Sequence, residues 1–294
     1  NAAAQVTSSA FTYDKTAPTV SSFTMSDTAL DADDTATVTI VFSHAVSGFA
    51  SDDDVTVVNG ALPSMTSSDD ITWTGTYTPT ADVEDSTNVL TLGTNWTDTA
   101  GNAYAGVATP TANFTIDTST PSIGAIGTGA FSWGTHLNAT EDNNNGTVTV
   151  TTTGVEDGQT VTITLNGSTY TNTVSSNATT VTITAAGLQG LTEGSVTMTA
   201  DVSDAAGNAA AQVTSSAFTY DKTAPSISAI ATSALSWGAV LNATEDNSNG
   251  TVTVTTVGVE DGQTVTITLN GATYTNTVSS DATTVTITAA ALQA

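Results

Sequence analysis

The amino-acid sequence predicts an all-β chain made of tandem β-sandwich domains. Three observations predict it. Thr alternates with Val, Ile or Leu at a period of two residues, Asn-Gly pairs separate such runs, and long blocks recur at an offset of 104 residues.

The alternation comes first because it defines the strands. TVTVTT (147–152) and TVTITL (160–165) place aliphatic side chains on one face and threonines on the other, the pattern of a sheet buried on one side. Asn166-Gly167 then separates TVTITL from STYTNTV. That dipeptide suits a two-residue type I′ turn, which needs positive φ at both positions. TTVTITA (179–185), SVTMTADV (195–202), QVTSSAFTY (212–220) and an opening strand near Ile123–Ile126 bring the count to seven. Seven short strands with frequent turns predict an immunoglobulin-like sandwich. Residues 18–120 read similarly through TVSSFTM, TATVTIVF, VTVV, ITWTGTYT, NVLTL and TANFTI.

The repeats set the domain limits. NAAAQVTSSAFTYDKTAP (1–18) recurs identically at 208–225. The block that opens at Pro121 with PSIGAIGTGAFSWG returns at Pro225 as PSISAIATSALSWG. Each block follows a linker ending in proline: DKTAP, DTSTP, DKTAP. Four pieces follow. Residues 1–17 read as the closing strand of a truncated domain, and 18–120 as a complete domain, type A. Residues 121–224 read as a complete domain of a second kind, type B, and 225–294 as a type B domain truncated at its C-terminal end. Units of about 100 residues can bury a modest core.

Composition narrows the function. The chain of 294 residues has 28 acidic side chains against two lysines, Lys15 and Lys222, for a net charge of -26. Nucleic-acid binding is excluded for want of basic side chains, and anionic membranes are disfavoured. No apolar run is long enough to predict membrane insertion in this segment. There is no cysteine. No nucleophile–base pair, phosphate loop or zinc motif appears, and His44 and His136 stand alone, so no enzyme is expected. Trp73, Trp96, Trp133 and Trp237 are expected to fill sandwich interiors, and the threonine faces to be plain solvent faces.

Specific strings carry a family resemblance. LNATEDNNNGTVTVTTTGVEDGQTVTITLNGSTYTNTV, with the closing DAAGN (204–208) and the FTYDKTAP linker, resembles the bacterial Ig-like domains of giant RTX and biofilm-associated surface adhesins. In type A, MSDTAL, ATVTIVFSHAVSGF, TGTYTPTADVEDSTNVLTL and DTAGN resemble a second Ig-like family of the same proteins. The resemblance spans essentially the whole chain. It implies a secreted or cell-surface protein in which such domains act as extenders, and it implies structural Ca²⁺ between domains.

The acids fall where such sites are expected. In an Ig-like sandwich the B–C and F–G loops share the pole at which the preceding linker enters. For residues 121–224 that pole gathers Asp117, Glu156, Asp157 and Asp204. These carboxylates repel one another unless a cation neutralises them, and Ca²⁺ takes oxygen ligands. At the next junction the candidates are Asp221, Glu260 and Asp261, with Glu141 and Asp142 from the A–B loop. At the first they are Asp14, Asp52, Asp53, Asp54 and Asp98. The competing reading makes these residues turn formers and solubilising charge. For DAAGN and DTAGN, ligation is expected of Asp204 and Asp98, and a backbone role of Gly207 and Gly101.

The function expected is that of an extracellular extender, an adhesin-like stalk whose partners are neighbouring domains of one long chain. The alternatives are a self-assembling filament or sheath subunit, and a module that binds a glycan or protein on a cell surface. The offsets also imply a repeating block of one type A and two type B domains. Sequencing of the parent gene is expected to read close to LTEGSVTMTADVSDAAGN after Ala294; a stop codon or an unrelated domain there would sink the block.

Overall fold

In the computed structural model, which describes residues 3–294, the alternating runs become strands and few helices form. The chain divides into two compact units. One runs to His136 and resumes over Glu141–Thr219; the other comprises Leu137–Thr140 and Tyr220–Ala294.

In the first unit, residues 20–117 form one sandwich. Val20–Met25, Ala36–Phe42, Thr72–Pro79 and Gly60–Ala61 lie in that order in one sheet. Phe114–Asp117 runs parallel to Ala29–Leu30 and antiparallel to Glu84–Asn88 in another. Strand Ala36–Phe42 shows how the alternation is used. Val38, Ile40 and Phe42 point inward, against Tyr77, Leu90, Leu92, Trp96, Phe114 and Ile116, all almost fully buried. Tyr77 donates its hydroxyl to the carbonyl of Val58 at 2.7 Å, and burial pushes its pKa up to about 12. Its ring lies where a Cβ on Gly60 would be, so that position tolerates only glycine.

The next sandwich repeats the logic. Ser122–Ile123, Gly146–Thr153 and Ala178–Ile183 form one sheet; Ser168–Thr173, Thr160–Leu165, Thr199–Asp201 and Val213–Thr214 form another; a third has Phe218–Asp221 as its middle strand. Val148, Val150, Val161, Ile163, Val181 and Ile183 are completely buried. The Asn166-Gly167 turn has φ of 48° and 76°, with Leu165 paired to Ser168, as a type I′ hairpin requires. Trp133 packs between Phe131 and Phe218, and its ring covers Gly146. In the second unit Gly250 sits under Trp237 in the same way, beside a core of Val252, Val254, Val265, Val278, Val285 and Ile287.

The candidates Asp52–Asp54 belong to a helical turn, Ser51–Asp54, closed by the Asp54 carboxylate accepting the N–H of Ala50 at 2.9 Å. Two expectations need correction. The long 179–185 run stops at Ile183, and Ala185–Gln189 is a short helix capped by the Thr184 side chain. Residues 3–17 form no strand. Phe11 is 85% exposed, whereas Phe218, its counterpart in the identical sequence, is 2% exposed against Phe131 and Trp133. A strand needs a partner edge and a face to cover, and residues 3–17 have neither.

Several polar atoms are left unpaired inside, the indole nitrogens of Trp73 and Trp133 and two pairs of threonines. Thr152 and Thr179 face the core with hydroxyls that find no hydrogen-bond partner among the described residues; Thr256 and Thr283 repeat this in the second unit. Thr152→Val is expected to raise stability by about 1 kcal/mol, because it removes an unpaired buried hydroxyl at constant shape. Gly146→Ala is expected to lower it by about 1–3 kcal/mol, because the new methyl meets the Trp133 ring. Thermal unfolding of the two variants checks both signs.

The candidate inter-domain junction

The linker between the two sandwiches of the first unit leaves the end of Phe114–Asp117. Thr118 fastens it to the first sandwich: its hydroxyl donates to the Thr80 carbonyl at 2.7 Å and accepts the N–H of Val83 at 3.0 Å. Asp117 accepts the N–H of Ser119 at 3.1 Å. The other two linker aspartates behave alike. Asp14 accepts from Thr16 and Asp221 from Thr223, each at 2.9 Å. Each linker aspartate is thus a turn former that commits one carboxylate oxygen to its own backbone.

A cleft of about 250 Å³ opens beside this linker, and Asp117, Glu156, Asp204 and Glu84 line it. Glu156 accepts the N–H of Ala205 at 2.8 Å, so it also props the DAAGN loop. Glu84 was not among the sequence candidates. It stands directly opposite Asp117 across the sheet, a like-charge pair that costs stability. No spacing rule finds it, because the register of Glu84–Asn88 against Phe114–Asp117 is set by tertiary pairing. Desolvation, with the charges of Asp204 and Glu156, raises the pKa of Asp117 above the usual carboxylate value.

The remaining candidates are dispersed. Asp157 accepts the N–H of Ser176 at 2.7 Å, and Asp261 that of Ser280 at the same distance, so both brace turns. Glu260 lines a separate cleft with Pro225 and Ile227. Glu141 and Asp142 begin a short 3-10 helix. Asp52 and Asp53 are exposed on the Ser51–Asp54 turn. Asp98 is buried, and its carboxylate accepts the N–H groups of Ala100 and Asn102 at 2.9 and 2.8 Å and the Asn102 side chain at 2.8 Å. Gly101 and Gly207, with φ of 91° and 115°, supply the backbone turn in the two equivalent loops. Among the described residues, no group of three or more acidic or histidine side chains is gathered closely enough to hold a metal ion.

Residues 14–116 match the model of the bacterial Ig-like domain. They are a bacterial Ig-like domain. Among solved structures, the chain is similar to a Ca²⁺-stabilised adhesin that helps an Antarctic bacterium reach out and bind ice. Identity is 25% over 93% of this chain and 67% of that one, with a TM-score of 0.38. It is similar also to a 1.5-MDa bacterial ice-binding adhesin, at 23% identity over 95% of this chain and 90% of that one, TM-score 0.39. A bacterial immunoglobulin-like domain from the M. primoryensis ice-binding adhesin is 30% identical over 34% of this chain and 94% of its own, TM-score 0.25. No curated protein matches the chain.

Buried Asp98 and half-buried Asp117 titrate in opposite senses. The Asn102 side chain, followed by backbone N–H groups, holds Asp98 below the ordinary carboxylate value of 3.8 against the effect of burial. Its contribution to stability is present above that value and is lost as pH falls through the lower folded pKa. Asp117 has the reverse sign: the folded state keeps its proton longer, and stability declines as pH rises through the raised pKa. Carboxyl-carbon NMR in chelator is expected to show Asp117 titrating above 3.8 and Asp98 below it; the opposite order would refute both assignments.

Proposed function

We propose that this chain is an extender segment of a large extracellular adhesin: a series of autonomous Ig-like sandwiches that carries other parts of the protein away from a cell surface and catalyses nothing. The observation that carries this reading is the repetition of one sandwich plan in unlike sequences, each joined by a short, hydrogen-bonded linker. The large aromatics support a spacer over a glycan-binding module. Trp96 and Trp133 are buried, and Trp73 packs edge-on against Phe49. The similar proteins are bacterial adhesins, one of them Ca²⁺-stabilised. No helix among the described residues is long and apolar enough to cross a membrane.

At the junction of the first unit, Asp117, Glu156, Glu84 and Asp204 line one cleft but are not gathered closely enough to hold an ion as they stand, so Ca²⁺ would draw these side chains together. The donor set is all oxygen, as a hard cation requires, and desolvation, with the charges of Asp204 and Glu156, raises the pKa of Asp117. The ion would offset those charges and join the linker to the second sandwich. Thermal unfolding with and without Ca²⁺ tests this. A free concentration a hundredfold above Kd is expected to add about 2.7 kcal/mol. Asp117→Asn is expected to stabilise the chain in chelator, by removing repulsion, and to abolish the gain from Ca²⁺. Superimposable wild-type curves in Ca²⁺ and in excess chelator would overturn the calcium site.

A further inference from the structure

The DAAGN loop does more than turn the chain. Asp204 and Asn208 are both buried, 4% and 6% exposed. One Asp204 oxygen accepts the N–H groups of Gly207 and Asn208, at 2.8 and 2.9 Å, and the other accepts the Asn208 Nδ2 at 2.9 Å. The second Nδ2 proton of Asn208 goes to the carbonyl of Asp117 in the linker, at 2.9 Å. Its Oδ1 accepts the N–H of Ala32, in the Asp31–Asp34 turn of the preceding sandwich, also at 2.9 Å. Both amide protons and the amide oxygen are therefore used, and they join three segments: the DAAGN loop of one domain, the linker, and a loop of the other domain.

Both sides of this contact are built to receive it. On the far side, Asp31 accepts the N–H of Asp33 at 2.9 Å and Asp34 accepts that of Asp31 at 3.2 Å, which presents the Ala32 N–H outward. On the near side, a Cβ on Gly207 would lie 3.4 Å from the Asp31 carboxylate, and its φ of 115° already excludes other residues. The type A loop DTAGN, unlike in sequence around it, repeats the internal half: Asn102 bonds to Asp98, and its Nδ2 points at the linker carbonyl of Asp14 at 3.5 Å.

We infer that Asn208 is the positioning residue that sets the orientation of these two Ig-like domains, through hydrogen bonds that need no cation. The Asp204 carboxylate is held to aim Asn208, and the Asp31–Asp34 turn is its docking surface on the preceding domain. This inference takes the tandem-domain reading above as its starting point, but it assigns junction order to a different agent from Ca²⁺.

Ala32→Pro isolates the contact. Proline is favoured at this second position of a turn and removes only the N–H that reaches Asn208. The protein has no cysteine, so spin labels can be placed through Thr76→Cys and Thr171→Cys, on exposed strand positions of the two domains. In the full chain with excess chelator, the inter-label distance distribution is expected to be narrow, to broaden in Ala32→Pro and in Asn208→Ala, and to stay narrow in Ala32→Ser, which keeps the N–H. The melting temperature of Ala32→Pro is expected to match that of its parent, separating loss of orientation from loss of fold. Distributions equally narrow in both disruptive variants would overturn the inference. So would a wild type already broad in chelator that narrows only with Ca²⁺, which leaves the calcium reading standing. A wild type narrow in chelator and indifferent to Ca²⁺ supports the inference while the calcium site fails.

Discussion

A carboxylate buried at the pole of a β-sandwich has to be met by donors, and this chain has almost no cations to meet it with. With 28 acidic residues and two lysines, the donors are backbone N–H groups and asparagine amides. Asp98 and Asp204 are solvated entirely in this way among the bonds described, by loops whose glycines let several N–H groups converge on one side chain. Bonds to a charged acceptor are stronger than neutral ones. The DTAGN and DAAGN loops can therefore hold a fixed shape at the surface without a hydrophobic anchor, and the linkers and domain contacts are built on that shape.

The domain bodies obey a different constraint. Their order comes from period-two burial: in strands such as Ala36–Phe42, Gly146–Thr153 and Thr160–Leu165 one face is largely aliphatic and the opposite face largely threonine. Glycine appears where a ring must lie flat on a strand, as at Gly146 beneath Trp133 and at Gly60 beneath Tyr77. This division suits an extender. The bodies are stable units that tolerate changes on the threonine face, while the junctions carry the acids, the turn glycines and the asparagines that determine how one domain follows another. Charge at the junction also makes it responsive. Glu84, Asp117, Glu156 and Asp204 line one cleft there, and desolvation with the charges of Asp204 and Glu156 raises the pKa of Asp117.

The repeat gives an internal control on what a segment owes to its surroundings. Residues 11–14 and 218–221 share the sequence FTYD, yet only the latter is a strand. Phe218 has Phe131 and Trp133 to cover it, and Phe11 has nothing. The same point explains Asp52–Asp54. Of the three consecutive aspartates named as metal candidates, Asp54 folds back on Ala50 and its carbonyl accepts the N–H of Gly93, which ties a helical turn into the sandwich.

What the sequence determined by itself is local and periodic: the strands of the 147–183 region, the Asn166-Gly167 hairpin, the turn role of each linker aspartate, and the gathering of Asp117, Glu156 and Asp204 at one pole. Alternation, turn chemistry and repeat offsets are properties of neighbouring residues, so they survive without knowledge of the fold. Tertiary structure alone decided the rest. Strand register placed Glu84 opposite Asp117, packing sent Asp157 and Asp261 to brace turns instead of lining a cleft, and the approach of two domains brought Ala32 to Asn208 across 176 positions of sequence. Register and domain approach depend on which surfaces are buried together, and no window of sequence contains both surfaces.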